Sequence, residues 1–242
     1  MALPKLNVPV YEAILPSTES VIKYRPFLVK EEKILLTAME SEDEKSISDA
    51  VKQIINNCVQ ENLDVERLPT FDIEYLFLRL RAKSVGEEVT IGLKPFPCSQ
   101  NNGELCEKTS DVKINLEEVK VIKDGKHTNK IMLTDDIGII MEYPNIENVQ
   151  AIMMGDTSTE QSLNVVKDSV SMIFTQEETH EKDSFTSEEL DEFFDNLTSD
   201  QFLMIRNFFE TMPQLKHTVK YKCTTCGEDK ETIVQGLNSF FG

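Results

Sequence analysis

The chain has 242 residues, 40% of them apolar, and carries a formal net charge of −18 from 43 acids against 25 bases. That balance argues against DNA or RNA as a partner, because phosphate binding needs a basic surface, and favours solubility or a basic protein partner. No run of 18 apolar residues is present to span a membrane, and five cysteines, an odd number, with no secretory leader point to a reducing cytoplasm rather than a disulfide scaffold.

In chain order, Pro4 and Pro9 keep the N-terminus extended. Val10–Leu15 and Val21–Arg25 read as two strands around a turn at Pro16–Ser20. A helix is expected over Phe27–Met39, with Leu28, Ile34, Leu35 and Ala38 apolar, and Ser41–Lys45 is a charged break. Ser46 then serves as an N-cap, and Ile47, Val51, Ile54, Ile55 and Cys58 follow at helical spacing. Cys58 is read as a buried structural thiol, not a metal ligand. Pro69 and Thr70 open a third helix with Ile73, Leu76, Phe77 and Leu80 on one face. Its basic end, Arg79, Arg81 and Lys83, complements the helix dipole.

From Gly86 to Met141 the pattern changes to alternation: Val89/Ile91/Leu93, Val112/Ile114/Leu116, Val119/Val121, Ile131/Leu133 and Ile137/Ile139/Met141. Asp135 and Asp136 read as a solvated hairpin turn. Pro144 returns the chain to helix, with Ile146, Val149, Ile152 and Met153 apolar and Gly155 as C-cap. Ser158 and Gln161 form a capping box opening a helix that carries Leu163, Val166, Val170, Ile173 and Phe174. Gln176–Ser184 reads as a polar loop holding an exposed His180. Two further capping boxes with hydrophobic staples follow, Phe185-Thr186…Glu189-Leu190 and Leu197-Thr198…Gln201-Phe202. Their helices carry Leu190/Phe193/Phe194/Leu197 and Ile205/Phe208/Phe209/Met212, stripes that read as core, or as a partner contact where exposed. Pro213 stops the second helix.

The last stretch, Cys223-Thr-Thr-Cys226-Gly227, is a C-x-x-C knuckle between the strand-like Thr218–Tyr221 and Glu231–Leu237. Structural zinc takes four ligands, so two more must come from elsewhere. Cys98 and Cys106 qualify: they flank an Asn-Gly turn and lie between the strand-like Val89–Leu93 and Asp111–Leu116. Each half reads strand, cysteine pair, turn, strand, which is the layout of a zinc ribbon. The expected metal ligands are therefore Cys98, Cys106, Cys223 and Cys226, with zinc as a structural ion. Four reduced thiols without metal, or a redox C-x-x-C, are the alternatives; a redox motif belongs at a helix N-terminus in a βαβ unit, and strand follows here.

The expected fold is α+β, with N-terminal and C-terminal helical pairs around a small β-rich zinc-ribbon-like module. The segments are 1–84, a hairpin plus helices; 85–142, β-rich with the first cysteine pair; 143–213, helical; and 214–242, the knuckle and strand that complete the module. There is no Gly-rich phosphate loop, no G-x-S-x-G and no H-E-x-x-H, so no catalytic residues are assigned and an enzyme is not expected.

The opening Leu3–Thr18 (LPKLNVPVYEAILPST), the run Tyr24–Leu36 (YRPFLVKEEKILL), the acidic stretch Phe185–Pro213 and the ending from Cys223-x-x-Cys226-Gly to Gly236-Leu-Asn-Ser-Phe-Phe241 resemble a baseplate protein family of T-even-type contractile-tail phages. The resemblance spans nearly the whole chain. It implies a non-enzymatic role in building the central hub of the baseplate, as an assembly factor or chaperone, with other phage baseplate hub proteins as partners. A structural hub subunit retained in the virion is the alternative, and a metal-dependent enzyme a distant third. The implied location is the host cytoplasm during assembly, or the virion tail baseplate. No nucleic acid or membrane partner is expected, and in isolation a monomer or small homo-oligomer.

Overall fold

The structure, a computed structural model, describes residues 7–41, 43–94, 97–98, 104, 106, 108–145 and 159–240. The chain forms two compact units, one of Met1–Ile122 with Gln214–Gly242 and the other of Lys123–Pro213. The β-rich segment expected over 85–142 is thus shared between them. Helices and antiparallel strands are mixed in both, as an α+β fold requires.

In the first unit, β1 (Tyr11–Ile14) and β2 (Val21–Tyr24) pair in the expected hairpin. Its turn is held from a distance. The backbone N–H of Ser17 donates to Asp72 Oδ1 at 3.1 Å, and the Ser17 hydroxyl donates to the same carboxylate. Helix α1 (Val29–Glu40) follows. Its inward face is not the four apolar residues expected: Ala38 is buried, but so is Glu31, while Leu28 is exposed. Glu31 accepts from Arg25 at 2.9 Å and from the Leu28 N–H at 2.9 Å. Burial alone would raise its carboxyl; the guanidinium and the N–H outweigh it and hold the group below the usual range.

Helix α2 (Glu44–Cys58) is capped by Asp43, whose side chain accepts the Ser46 N–H at 2.9 Å, not by Ser46 itself. An acid three residues upstream satisfies an orphan donor and also meets the positive end of the helix dipole. Cys58 is buried at the far end, and burial pushes its thiol up to about 11. Helix α3 (Thr70–Ser84) buries Ile73, Leu76, Phe77 and Leu80 as the spacing requires, together with Phe71 and Leu78 from outside that stripe. It is therefore enclosed on more than one side. Its basic end does more than face the dipole. Arg79 donates to the carbonyls of Leu116 and Val119 at 3.2 and 2.5 Å, and Lys83 pairs with Glu87 and Glu117 at 2.7 and 2.6 Å.

Those contacts fix the turn between β4 (Ser110–Asn115) and β5 (Lys120–Ile122). Strand β3 (Glu88–Leu93) pairs with β4 so that Val89 faces Ile114 and Ile91 faces Val112. Strands β10 (Gln214–Lys222) and β11 (Asp229–Gln235) form a long hairpin, and β5 adds to the free side of β10. After β11 the chain turns at Gly236, in a left-handed conformation (φ 71°). Beyond it, the Leu237 N–H donates to Glu74 Oε1 of α3 at 3.1 Å. Burial pushes the Glu74 carboxyl up to about 7, against the opposing pull of that hydrogen bond.

The second unit is a four-stranded antiparallel sheet, β6 (Lys130–Met132), β7 (Gly138–Met141), β8 (Val170–Phe174) and β9 (Thr179–Glu181), with helices α4 (Thr159–Asp168), α5 (Ser187–Asp195) and α6 (Ser199–Thr211). Two expectations are corrected here. Val170, Ile173 and Phe174 are strand, not the end of a helix. Their spacing fits either element, and pairing with the free side of β7 decides the matter. Gln176–Ser184 is not an open loop: it holds β9 and a 3-10 turn at Lys182–Ser184, with His180 on the strand opposite Ile173. The helix expected from Pro144 to Gly155, from residue 146 on, and the Ser158 cap lie outside the described residues. The capping boxes at Thr186/Glu189 and Thr198/Gln201 are both formed. The phenylalanine stripes are core: Phe194, Ile205 and Phe208 are buried among Ile131, Leu133, Ile139, Met141 and Val170. Phe193, Leu197, Phe202 and Phe209 pack at the margin.

The charge is divided unevenly. Residues 123–213 hold 19 acids against 6 bases, a net −13, whereas the rest of the chain holds 24 against 19, a net −5.

Candidate metal centre

Two hairpins of the first unit each carry a cysteine pair in their connection. Cys98 and Cys106 lie between β3 and β4, and Cys223 and Cys226 between β10 and β11. The tighter knuckle is closed by backbone bonds. Cys223 N–H donates to Glu228 O at 2.9 Å and Gly227 N–H to Cys223 O at 2.8 Å, with Gly227 left-handed (φ 75°). This position needs glycine because a Cβ is strained there. In the wider knuckle Cys98 N–H donates to Glu104 O at 3.1 Å.

The four sulfurs, from two pairs more than a hundred residues apart in sequence, lie within 4.8 Å of one another. Cys106 Sγ and Cys226 Sγ are 3.8 Å apart. That distance is far beyond the roughly 2.05 Å of a disulfide. It equals the edge, about 3.8 Å, of a tetrahedron of sulfurs each about 2.3 Å from a zinc ion. Cys98, Cys106 and Cys223 are buried and Cys226 is half-buried. A soft, four-sulfur, largely enclosed donor set fits a thiophilic ion such as zinc. These residues could hold a metal ion; Cys58, in α2, is not part of the group.

The electrostatics of the cluster are uneven. Backbone N–H groups of Cys226 and Thr225 aim at Cys223 and bring its thiol down to about 6. Burial, then the neighbouring thiols, push Cys98 well above the ordinary range. Lys230 stands beside the cluster, bonded to Glu228 at 3.0 Å and to the Pro97 carbonyl at 3.2 Å.

The knuckles also touch through groups the cysteine pattern did not reveal. Thr224 N–H donates to the hydroxyl of the buried Ser110 at 3.1 Å, and Lys108 N–H to Thr225 Oγ1 at 3.4 Å. No spacing rule marks Ser110 or Lys230; both are defined only by the meeting of the two hairpins. The C-x-x-C sits in the connection of a β-hairpin rather than at a helix N-terminus, the setting that activates redox motifs. Among the described residues no helix is long and apolar enough to cross a membrane.

No curated protein and no solved structure matches the chain. The family model described as T4 bacteriophage base plate protein matches residues 8–242. That match includes both cysteine pairs, both units and the two capped helices of the acidic stretch. This chain therefore belongs to the T4 bacteriophage base plate protein family.

Proposed function

We propose that this protein is a non-enzymatic assembly factor for the central hub of the phage baseplate, with a zinc ion held by Cys98, Cys106, Cys223 and Cys226. The observation that carries the metal reading is the convergence of four sulfurs from two hairpins to within 4.8 Å. Bound there, zinc would fix the end of the chain to its middle, and the coupling of ion binding to folding makes it structural. With four thiolate ligands no coordination position is left for a substrate, so the ion has no catalytic part in this reading. On this reading the paired knuckles on two hairpins make a zinc-ribbon-like module.

The partners on this reading are other baseplate hub proteins, met in the host cytoplasm while the hub is built. An acidic protein of net charge −18 suits the temporary covering of a basic or adhesive hub face until the ring closes. Family membership also favours a second reading, in which the chain is a structural hub subunit retained in the virion tail. Native mass spectrometry of the protein co-expressed with the hub proteins separates the two and weighs the metal. A complex that is lacking from finished tails, with one zinc per chain, supports the assembly factor. Recovery from purified tails at a ring-like copy number supports the structural subunit. A metal-free mass refutes the zinc centre.

A further inference from the structure

We infer that the second unit carries a docking groove for a basic amphipathic segment of a baseplate partner, an inference that rests on the proposed assembly role. The groove, about 400 Å³, runs between helix α5 and the β6–β7 turn. Leu133, Ile137, Phe193 and Leu197 form its apolar floor. Glu189 and Glu192, on successive turns of α5, stand along one wall. The exposed Asp135 and Asp136 occupy the turn between the lining residues Thr134 and Ile137, where Asp136 accepts from Gln176 Nε2 at 2.6 Å.

An apolar floor with carboxylates along one wall and in the adjoining turn selects its occupant by charge. From Glu177 to Asp200 the chain has ten carboxylates and one lysine. Some are engaged internally: Asp191 pairs with Lys167 at 2.5 Å, and Glu189 accepts the Thr186 N–H at 2.7 Å. Among the described residues Glu192 and Asp195 have no ion pair and are exposed. A second copy of this chain would bring another unit of net charge −13 against the first, so self-association through the groove is disfavoured. A segment with Leu or Phe at i, i+3 and i+4 spacing seats those side chains on the floor, while flanking Lys or Arg reach Glu189, Glu192 and the acidic turn. The carboxylates steer its approach, and the floor holds it. The aspartate pair at 135–136 thereby acquires a use that no acid–base or metal chemistry requires.

The test uses the full chain and two synthetic helical peptides of identical Leu positions, one with Lys and one with Glu at every polar position. Fluorescence anisotropy is measured at low and at high salt, against the wild-type protein and the double variant Asp135→Lys/Glu192→Lys. A control, Glu40→Lys/Glu118→Lys, reverses two exposed acids of the first unit. The expected result is salt-sensitive binding of the Lys peptide, weakened tenfold or more in the groove variant and less than twofold in the control. Absence of Lys-peptide binding to the wild type, equal binding of the Glu peptide, or equal loss in both variants overturns the groove. A dimer of the wild type that the groove variant dissolves also overturns it, by assigning the surface to a second copy. Tail assembly in infected cells keeps the two readings apart. Normal tails with the groove variant, but none without the protein, refute the groove alone; normal tails without the protein refute the assembly role.

Discussion

On the proposed zinc centre, replacing Cys223 by Ser, or adding a chelator, should release the C-terminal hairpin from the β3–β4 connection. The size of the effect follows from the chain that the ion would close. Between Cys106 and Cys223 lie about 120 residues, and cross-linking a loop of about 100 residues is worth roughly 4.7 kcal/mol of chain entropy. For a unit of roughly 150 residues, each kcal/mol moves the melting temperature by about 2–4 °C, so a fall of about 10–20 °C is expected. The hydrogen bonds between the two connections, such as Thr224 N–H to Ser110 Oγ, recover part of this if they survive without the ion. The assay is thermal unfolding by circular dichroism, with and without chelator, for the wild type, Cys223→Ser and Cys58→Ser. Cys58 is buried in α2 and outside the cluster. Its variant should lose stability yet keep the full chelator response. Cys223→Ser should lose stability and the chelator response together. A wild-type melting temperature that ignores the chelator would refute the reasoning, as would equal chelator responses in all three proteins.

Three further outcomes are expected. Glu74 has a folded-state pKa near 7, above the ordinary 4.5, so the folded state binds its proton more tightly; the stability this gives is complete below about pH 4.5 and is lost as pH rises through 7. The shift corresponds to at most about 3 kcal/mol, and Glu74→Gln should flatten the pH dependence of denaturant midpoints across that window; identical slopes would refute it. At Gly138 an added Cβ would overlap the Phe174 ring, its neighbour across the β7–β8 pair. Gly138→Ala should therefore cost about 1–3 kcal/mol, and a double-mutant cycle with Phe174→Ala should give less than the sum of the two losses. Thr198→Ala removes the acceptor for the Gln201 N–H and should cost about 1 kcal/mol in urea unfolding, with Thr198→Ser retaining most of it; equal losses in both would deny the cap.

Local grammar was legible wherever one residue's chemistry settles the backbone. The capping boxes at Thr186 and Thr198 and the Gly227 turn follow from side chains within a few positions of each other, while the β1–β2 hairpin and helix α3 follow from their apolar periodicity and turn residues and are then held by distant partners such as Asp72. The second-unit phenylalanines could be assigned to a face but not to core or surface, because that depends on which sheet the face meets. Val170–Phe174 shows the same limit more sharply: its spacing fits a helix and a strand, and only the free side of β7 chooses. The buried Glu31 and the half-buried Glu74 depart from composition rules that place acids outside; they are explained by Arg25 and by the Leu237 N–H, partners that the sequence does not point to. The cysteines divide the two levels most clearly. Spacing and flanking strands named all four residues of the cluster and set Cys58 apart. Their approach to within 4.8 Å, with Ser110, Thr225 and Lys230 around them, exists only because β3–β4 and β10–β11 pack in one unit. Contacts across more than a hundred residues carry no local signal: what holds them is the closure of a long loop, a property of the folded whole and not of either hairpin.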